Sequence, residues 1–306
     1  MIQDWFCNIY SSIKDGNAFL KKIRFYSLLR WLTRQTANIV IPFAFRLHPT
    51  KSTLSKDTKP SFIVSLTTFP ARIDKVWMVI ECIFRQTVLP DKIILWLSKE
   101  QFASMDAIPT RLRAYQAQGL EIRLVEDDFR SHKKYLYTLQ QFTEDILITI
   151  DDDIFYRSTL IEDLMTCHNA HPTAIIAHYT HNILYDKKGG ILPYIQWKNN
   201  VIEGDHLFFG SGGGTLFPSH ALHEEVSNIE AALRICPQAD DVWLNAMMRL
   251  NKTELVHTPT RTVVLPILNR NQPMLSSDNL SGRNDVQIQQ VIDYCIKKFN
   301  NNPFER

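Results

Sequence analysis

From residue 62 onward, short runs of apolar and β-branched residues alternate with longer mixed segments. The pattern predicts strands at Phe62–Leu66, Lys92–Leu97, Glu121–Val125 and Ile146–Ile150, with helical stretches at Val76–Gln86, Thr110–Gln118 and Tyr135–Phe142 between them. Strands separated by helices of this length imply crossover connections. The expected class is therefore α/β, a mostly parallel sheet flanked by helices. In such a sheet, ligands collect at the carboxyl ends of the strands, where loops converge and helix amino termini aim N–H groups outward. The segment after the first strand, Thr67 to Arg72, and the one after the fourth, Asp151-Asp152-Asp153, are expected to edge one crevice. No internal repeat or low-complexity tract interrupts the alternation.

Residues 1–50 follow a different pattern. They carry seven Lys or Arg against two Asp, a balance of +5, among large apolar residues such as Phe19, Ile23, Leu28 and Trp31. That mixture suits a segment lying on an anionic membrane surface. Projected at the helical period, however, the charges fall around the whole circumference, so packing against the rest of the chain and peripheral membrane contact both stand. Residues 49–61 are polar and Pro-bearing without periodicity and read as a linker. The expected organisation is a basic helical extension with linker over 1–60 and a main domain over 61–306.

No apolar run reaches the ~20 residues needed to cross a bilayer, and no early apolar stretch leads to a small-residue cleavage site. A cytoplasmic location follows, at the inner face of the membrane if the head touches lipid. The overall net charge of +2 gives no support to a nucleic-acid partner. The five cysteines stand singly, which argues against a zinc site or a disulfide framework.

The chemistry concentrates at a few places. Three adjacent carboxylates directly after a buried strand repel one another unless a cation or donors offset them. Alternation along an extended chain turns Asp151 and Asp153 to one side and Asp152 to the other. Hard Mg²⁺ or Mn²⁺ takes one or two carboxylates and completes its shell with water and phosphate oxygens, so a nucleoside diphosphate is the natural partner. The bland alternative is a solvated turn or a helix cap, since a helical segment follows soon after Asp153. Phe209 to Thr215 holds four glycines within five positions, a loop whose backbone can approach a ligand closely. It lacks the spacing of a phosphate-binding P-loop. Asp240 and Asp241 open a helical stretch, where the helix dipole favours negative charge; in the functional reading Asp241 is a general base.

The strand-Asp-Asp-Asp junction resembles the DxD motif of GT-A glycosyltransferases. Further segments, in order, resemble a bacterial family-2-like group that builds cell-surface polysaccharide, lipopolysaccharide included: Val64 to Arg72, His132 to Lys134, Pro193 to Trp197, Gly210 to Pro218, Ala239 to Trp243 and Asn284 to Gln287. The resemblance covers residues 62 to about 295 and implies a GT-A-type, Rossmann-like domain using a UDP- or GDP-sugar with Mn²⁺ or Mg²⁺ and a glycan or lipid-linked acceptor. It implies metal ligation by Asp151 and Asp153, and donor binding by Thr67, Thr68, Arg72, Asp152, Gly212, Gly213 and one or both of Lys133 and Lys134. It favours Asp241 over Asp240 as base, and a single base implies inversion at the anomeric carbon. Many GT-A enzymes add a carboxy-terminal His to the metal; here only His257 follows Asp241, too early in the chain, and Asn284 with Asp285 is the candidate replacement. Two rivals stand: a nucleotidyltransferase, although Thr67 to Arg72 contains no glycine, and a catalytically silent carbohydrate-binding protein.

Overall fold

The structure is a computed structural model that describes residues 1–14, 16–54, 61–199, 201, 203–260, 263–269 and 282–306 of the 306-residue chain. Its strands are β1 (Phe62–Thr67), β2 (Lys92–Ser98), β3 (Leu120–Val125), β4 (Ile146–Thr149), β5 (Ile154–Phe155), β6 (Ile175–Ala177), β7 (Thr180–Asn182), β8 (Lys198–Asn199), β9 (Leu207–Phe209), β10 (Thr215–Phe217), β11 (Leu255–His257) and β12 (Leu265–Pro266). Its α-helices are α1 (Ile2–Ser12), α2 (Ala18–Lys22), α3 (Phe25–Leu47), α4 (Trp77–Phe84), α5 (Thr110–Ala114), α6 (Lys133–Gln141), α7 (Leu160–Ala170), α8 (Ile229–Ile235), α9 (Asp240–Leu250) and α10 (Asn284–Phe299).

Among the described residues the central sheet has seven strands in the order β11-β6-β10-β4-β1-β2-β3. β1 pairs in parallel with β2 and β4, β2 with β3, and β11 with β6, whereas β10 runs antiparallel to both β4 and β6. The expected mostly parallel sheet flanked by helices is thus the observed one. Its single reversal places the chain just before β10 beside the carboxyl end of β4.

Alternation in the strands decides the two faces. Val64, Leu66, Ile93, Leu95 and Ile148 join α4 in one apolar cluster, while Leu147, Ile175, Ala177 and Phe217 join α8, α9 and α10 in another. Helix α4 is buried at every position, so it needs an internal partner for its one charge. Glu81 accepts hydrogen bonds from Arg85, from the Tyr115 hydroxyl at 2.6 Å and from the Thr50 amide at 2.8 Å. Leu54 is buried and its amide reaches the Gln118 carbonyl at 3.1 Å. Residues 55–60, the later part of the segment read as a linker, lie outside the described residues.

The amino-terminal helices pack on this body. The Asp4 carboxylate accepts from the Ser158 amide at 2.8 Å and its hydroxyl at 2.9 Å, while Phe6 and Cys7 are buried beneath α1. In α3 the residues Ala37, Ile41 and Phe45, four apart, form the buried stripe. Asn38 donates to the Pro266 carbonyl at 2.9 Å and accepts from the Leu268 amide at 2.8 Å. β12 in turn pairs antiparallel with β5, and the Ile267 amide donates to the Asp153 carbonyl at 2.7 Å. Among the described residues no helix is long and apolar enough to cross a membrane.

Candidate active site

The crevice expected from the two strand ends exists. β1 and β4 are neighbours in parallel register, Ser65 opposite Thr149, so the chain leaves both strands on the same edge. Asp152 turns inward and is buried. It accepts from the Thr68 hydroxyl and from Arg72 at 2.7 Å. Burial pushes the Asp152 carboxyl up, against the downward pull of Arg72 and Thr68. Arg72 also reaches Asp153 at 2.9 Å, and these two carboxylates overcome the downward effect of burial on the guanidinium. Asp152 acts as an anchor, and Asp151 and Asp153 are left partly exposed. Residues 152–153 form a turn, however, and one Arg72 nitrogen reaches both Asp152 and Asp153, so these two carboxylates are not set on opposite sides as strand alternation predicts. The segment after Asp153 is β5 and not a helix, which removes the helix-cap explanation of the Asp run.

Lys134, buried at the start of α6, joins two distant acidic groups. Its Nζ lies 2.9 Å from Asp151 and 3.0 Å from Asp240. Burial alone would lower this ammonium, but Asp151, Asp240 and Asp241 outweigh it and hold it charged. Lys133 is one helical step away and points elsewhere, to Asp128, and burial lowers it despite that partner. The structure thus separates the lysine pair: Lys134 belongs to the carboxylate cluster and Lys133 does not. Thr67 is likewise outside the cluster, its hydroxyl donating to the Trp96 carbonyl at 2.8 Å.

The glycine-rich loop closes the other side. A Cβ built on Gly212 would stand 1.7 Å from Oδ2 of Asp151, and one on Gly213 would stand 2.4 Å from Cβ of Tyr179. Only a bare backbone fits between them. The loop is tied to β4 by the Thr149 hydroxyl, which donates to the Ser211 carbonyl at 2.9 Å, and by the Tyr156 hydroxyl, which donates to the Gly212 carbonyl and accepts from the Asp151 amide at 2.8 Å. Gly210 accepts from the Gly213 amide and donates to the Tyr179 carbonyl, each at 3.0 Å.

Ser211 receives the second acidic pair. Its hydroxyl donates to Asp240 at 2.7 Å and its amide to Asp241 at 2.6 Å. The two neighbours at the α9 start then diverge. Burial would raise Asp240, but Lys134 leads the groups that hold it below the ordinary carboxylate range. Burial and the charge of Asp240 push Asp241 up to about 7, although its surface retains partial solvent contact. Asn245, fully buried one turn on, accepts from the Phe209 amide at 3.1 Å and donates to the carbonyls of Phe209 and Asp241 at 2.9 and 2.8 Å, fixing loop to helix.

Sequence reasoning assigned no role to Ser211, Tyr156, Tyr179, Tyr194 or Asn245. Tyr194 lies in the Pro193 to Trp197 segment, and burial followed by the Asp241 charge raises its hydroxyl. Its hydroxyl lies 3.1 Å from His181. Asp285 accepts from the Tyr194 amide at 2.7 Å and Asn284 bonds the Tyr194 hydroxyl, so the proposed replacement ligands serve the Asp241 side of the site. His257 ends β11, three places from β4 and so roughly 14 Å away at ordinary strand spacing. It contacts the Thr258 carbonyl and stands outside the carboxylate cluster.

Among the described residues, five carboxylates, Asp151, Asp152, Asp153, Asp240 and Asp241, meet two cations, Arg72 and Lys134. Burial, then Asp151, pushes Asp153 up to about 7, the mark of a carboxylate short of positive charge. No group of three or more His, Cys, Asp or Glu among the described residues forms a ready-made metal cage. Asp151 and Asp153 keep partial exposure while pairing with Lys134 and Arg72 respectively.

No protein-family model matches the chain, and no curated protein sequence matches it either. Among solved structures the chain is similar to the mannosyltransferase PcManGT from Pyrobaculum calidifontis in complex with GDP-Man and Mn2+, at 13% identity and TM-score 0.45, over 90% of this chain and 77% of that one. It is similar to CMP:2-keto-3-deoxy-manno-octonic acid synthetase complexed with CTP, at 11% identity and TM-score 0.39, over 76% and 98%. It is also similar to S. aureus TarS 1-349 in complex with UDP, at 10% identity and TM-score 0.41, over 66% of this chain and 59% of that one. At such values the likenesses transfer no residue-by-residue role.

Proposed function

We propose that the chain is a GT-A-type glycosyltransferase that moves a sugar from a nucleoside-diphosphate donor, a UDP- or GDP-sugar, to a hydroxyl of a glycan or lipid-linked acceptor in cell-surface polysaccharide synthesis. One observation carries this reading. A single short loop touches both acidic centres, with Gly212 against Asp151 and Ser211 bonded to Asp241. A carboxylate of the strand-end Asp run and a carboxylate raised to near neutrality therefore both lie against one short stretch of backbone.

Mn²⁺ or Mg²⁺ held by Asp151 and Asp153 would supply Lewis-acid stabilisation of the departing diphosphate. Arg72 and Asp152 fix Asp153 and the strand end, and Thr68 anchors Asp152. Lys134 pairs with both Asp151 and Asp240 and leads the groups that keep Asp240 ionised. Asp241, oriented by the Ser211 amide, takes the acceptor hydroxyl proton as that oxygen bonds to the anomeric carbon. The bond from that carbon to the diphosphate oxygen breaks, and its electron pair leaves with the diphosphate. Attack by the acceptor oxygen opposite the departing diphosphate, with Asp241 as the single base, gives inversion.

Calorimetric titration with UDP, GDP, CDP and ADP, with and without Mn²⁺, tests the reading on the wild type and on Asp151→Ala/Asp153→Ala. The expected result is metal-dependent binding of one nucleotide, lost in the variant. Binding of none of them, with or without metal, overturns it. Product analysis then separates transfer to an acceptor from nucleotidyl transfer.

A further inference from the structure

The amino-terminal helices present an apolar surface that the fold does not use. Ala37, Ile41 and Phe45 of α3 are buried against the body. Phe25, Leu28, Leu32, Ile39, Phe43 and Leu47 follow one another at steps of three, four, seven, four and four residues, so they share the opposite side of the same helix. All six are exposed, Ile39 by 70% and Phe43 by 61%. Trp5 of α1, Phe19 of α2 and Ile23 just after α2 are exposed as well. A contiguous apolar surface of this kind marks an interaction site.

We propose that this face docks onto a bilayer containing anionic lipid. Charge decides the occupant. Residues 16–47 hold six Lys or Arg and no Asp or Glu. Lys14, Lys21, Lys22 and Arg24 are exposed where α1, α2 and α3 join. Arg30 instead faces inward and donates to the Ile13 carbonyl at 3.0 Å. A second copy seated on this face would oppose lysines with lysines and offer no acid in return. An anionic bilayer answers both features, taking the aromatic and aliphatic side chains into the interface and pairing the lysines with headgroups. An open recess of about 500 Å³ between α1 and α3, with Trp5, Ile9, Tyr26, Leu29 and Lys14 in its wall, adds apolar area to the same surface. The contact is interfacial, since no described helix is long and apolar enough to cross.

The surface is coupled to the carboxylate site by its other side. Asn38, on the side of α3 packed against the body, holds Pro266 and Leu268, and the Ile267 amide between them is bonded to the Asp153 carbonyl. A bilayer on the outer face thus lies against the helix that supports the Asp153 segment.

Co-sedimentation of the full chain with phosphatidylcholine vesicles, with and without phosphatidylglycerol and at low and high salt, tests the proposal. The wild type is expected to sediment with the anionic vesicles, about tenfold or more less with neutral vesicles or at high salt, as each basic group contributes about fivefold. Ile39→Ser/Phe43→Ser and Lys21→Glu/Lys22→Glu are each expected to weaken that binding about tenfold or more, with the unfolding midpoint unchanged because the replaced side chains are exposed. Absence of wild-type binding overturns the proposal, as does binding that neither variant alters. So does a stable dimer in light scattering that the apolar variant splits. Vesicle binding is read without any transfer assay, so its failure is distinct from failure of the glycosyltransferase reading.

Discussion

Adjacent acidic residues in this protein take opposite electrostatic roles, and the difference comes from what reaches each one. Asp240 receives the Lys134 ammonium and the Ser211 hydroxyl and stays ionised. Asp241, next to it, receives a backbone amide and the repulsion of Asp240, and burial with that repulsion raises it to about 7. A base with this poise is half ionised near neutrality. With Mn²⁺ saturating at every pH, so that proton competition at Asp153 adds no limb of its own, kcat/KM for sugar transfer is therefore expected to rise with pH through an apparent pKa near 7 and then level off. Asp241→Asn should remove that ascending limb and lower kcat by roughly 10²- to 10⁴-fold, the ordinary contribution of a positioned base. A pH–rate profile that keeps its limb in the variant would assign the proton to another group.

At the scale of elements, the parts that declared themselves in the sequence are those with enough residues to show a period. The four long parallel strands, α4 and α6 lie within two residues of their predicted bounds, because alternation over four to seven positions and burial on both faces leave a clear mark. The helix expected over Thr110–Gln118, by contrast, is α-helical only to Ala114 and tightens to a 3-10 turn over Tyr115–Gln118. The three-residue strands β6, β10 and β11 carry no such mark, and the reversal of β10 depends on pairing with partners 38 to 70 positions away. The lysine pair shows the same limit at closer range. Successive helical positions differ by about 100°, so which of Lys133 and Lys134 faces Asp151 depends on how α6 is rotated against β1. The Ser65 hydroxyl, donating to the Lys134 carbonyl, helps fix that rotation. The glycine loop was legible as a close approach, but what it approaches was not. Its contact with Asp151 gives a specific expectation. Gly212→Ala forces the end of a flexible side chain, the Asp151 carboxylate, to swing aside. Stability should change little, while metal-dependent nucleotide affinity falls about 10- to 100-fold, as when support of a metal ligand is lost. Equal affinity in the variant, measured by calorimetry, would detach the loop from the site.

For the whole molecule, the consequence of the site is a stability that depends on pH and on cations together. Asp153 and Asp241 are both raised to about 7 in the folded chain, against about 3.9 when unfolded. Between those values the folded state binds more protons than the unfolded state, so unfolding free energy declines as pH rises from about 4 to about 7 and is flat above. Each partly solvated carboxylate should contribute on the order of 1–2 kcal/mol to that decline, less than an isolated buried group would. A divalent cation bound between Asp151 and Asp153 offsets the missing positive charge and binds best where both are ionised. Adding Mn²⁺ at about 100 times its dissociation constant should then raise stability by about 2.7 kcal/mol at pH 8 and by much less at pH 5, where protons compete for Asp153. Thermal unfolding at the two pH values, with and without Mn²⁺, measures this directly, and Asp153→Asn should be more stable than wild type without metal at pH 8 and gain much less from its addition. A wild type whose midpoint is equally insensitive to Mn²⁺ at both values would mean that the excess of carboxylates is answered within the chain. The strand-end Asp run would then be an anchor for Arg72 and Lys134 and not a cation site.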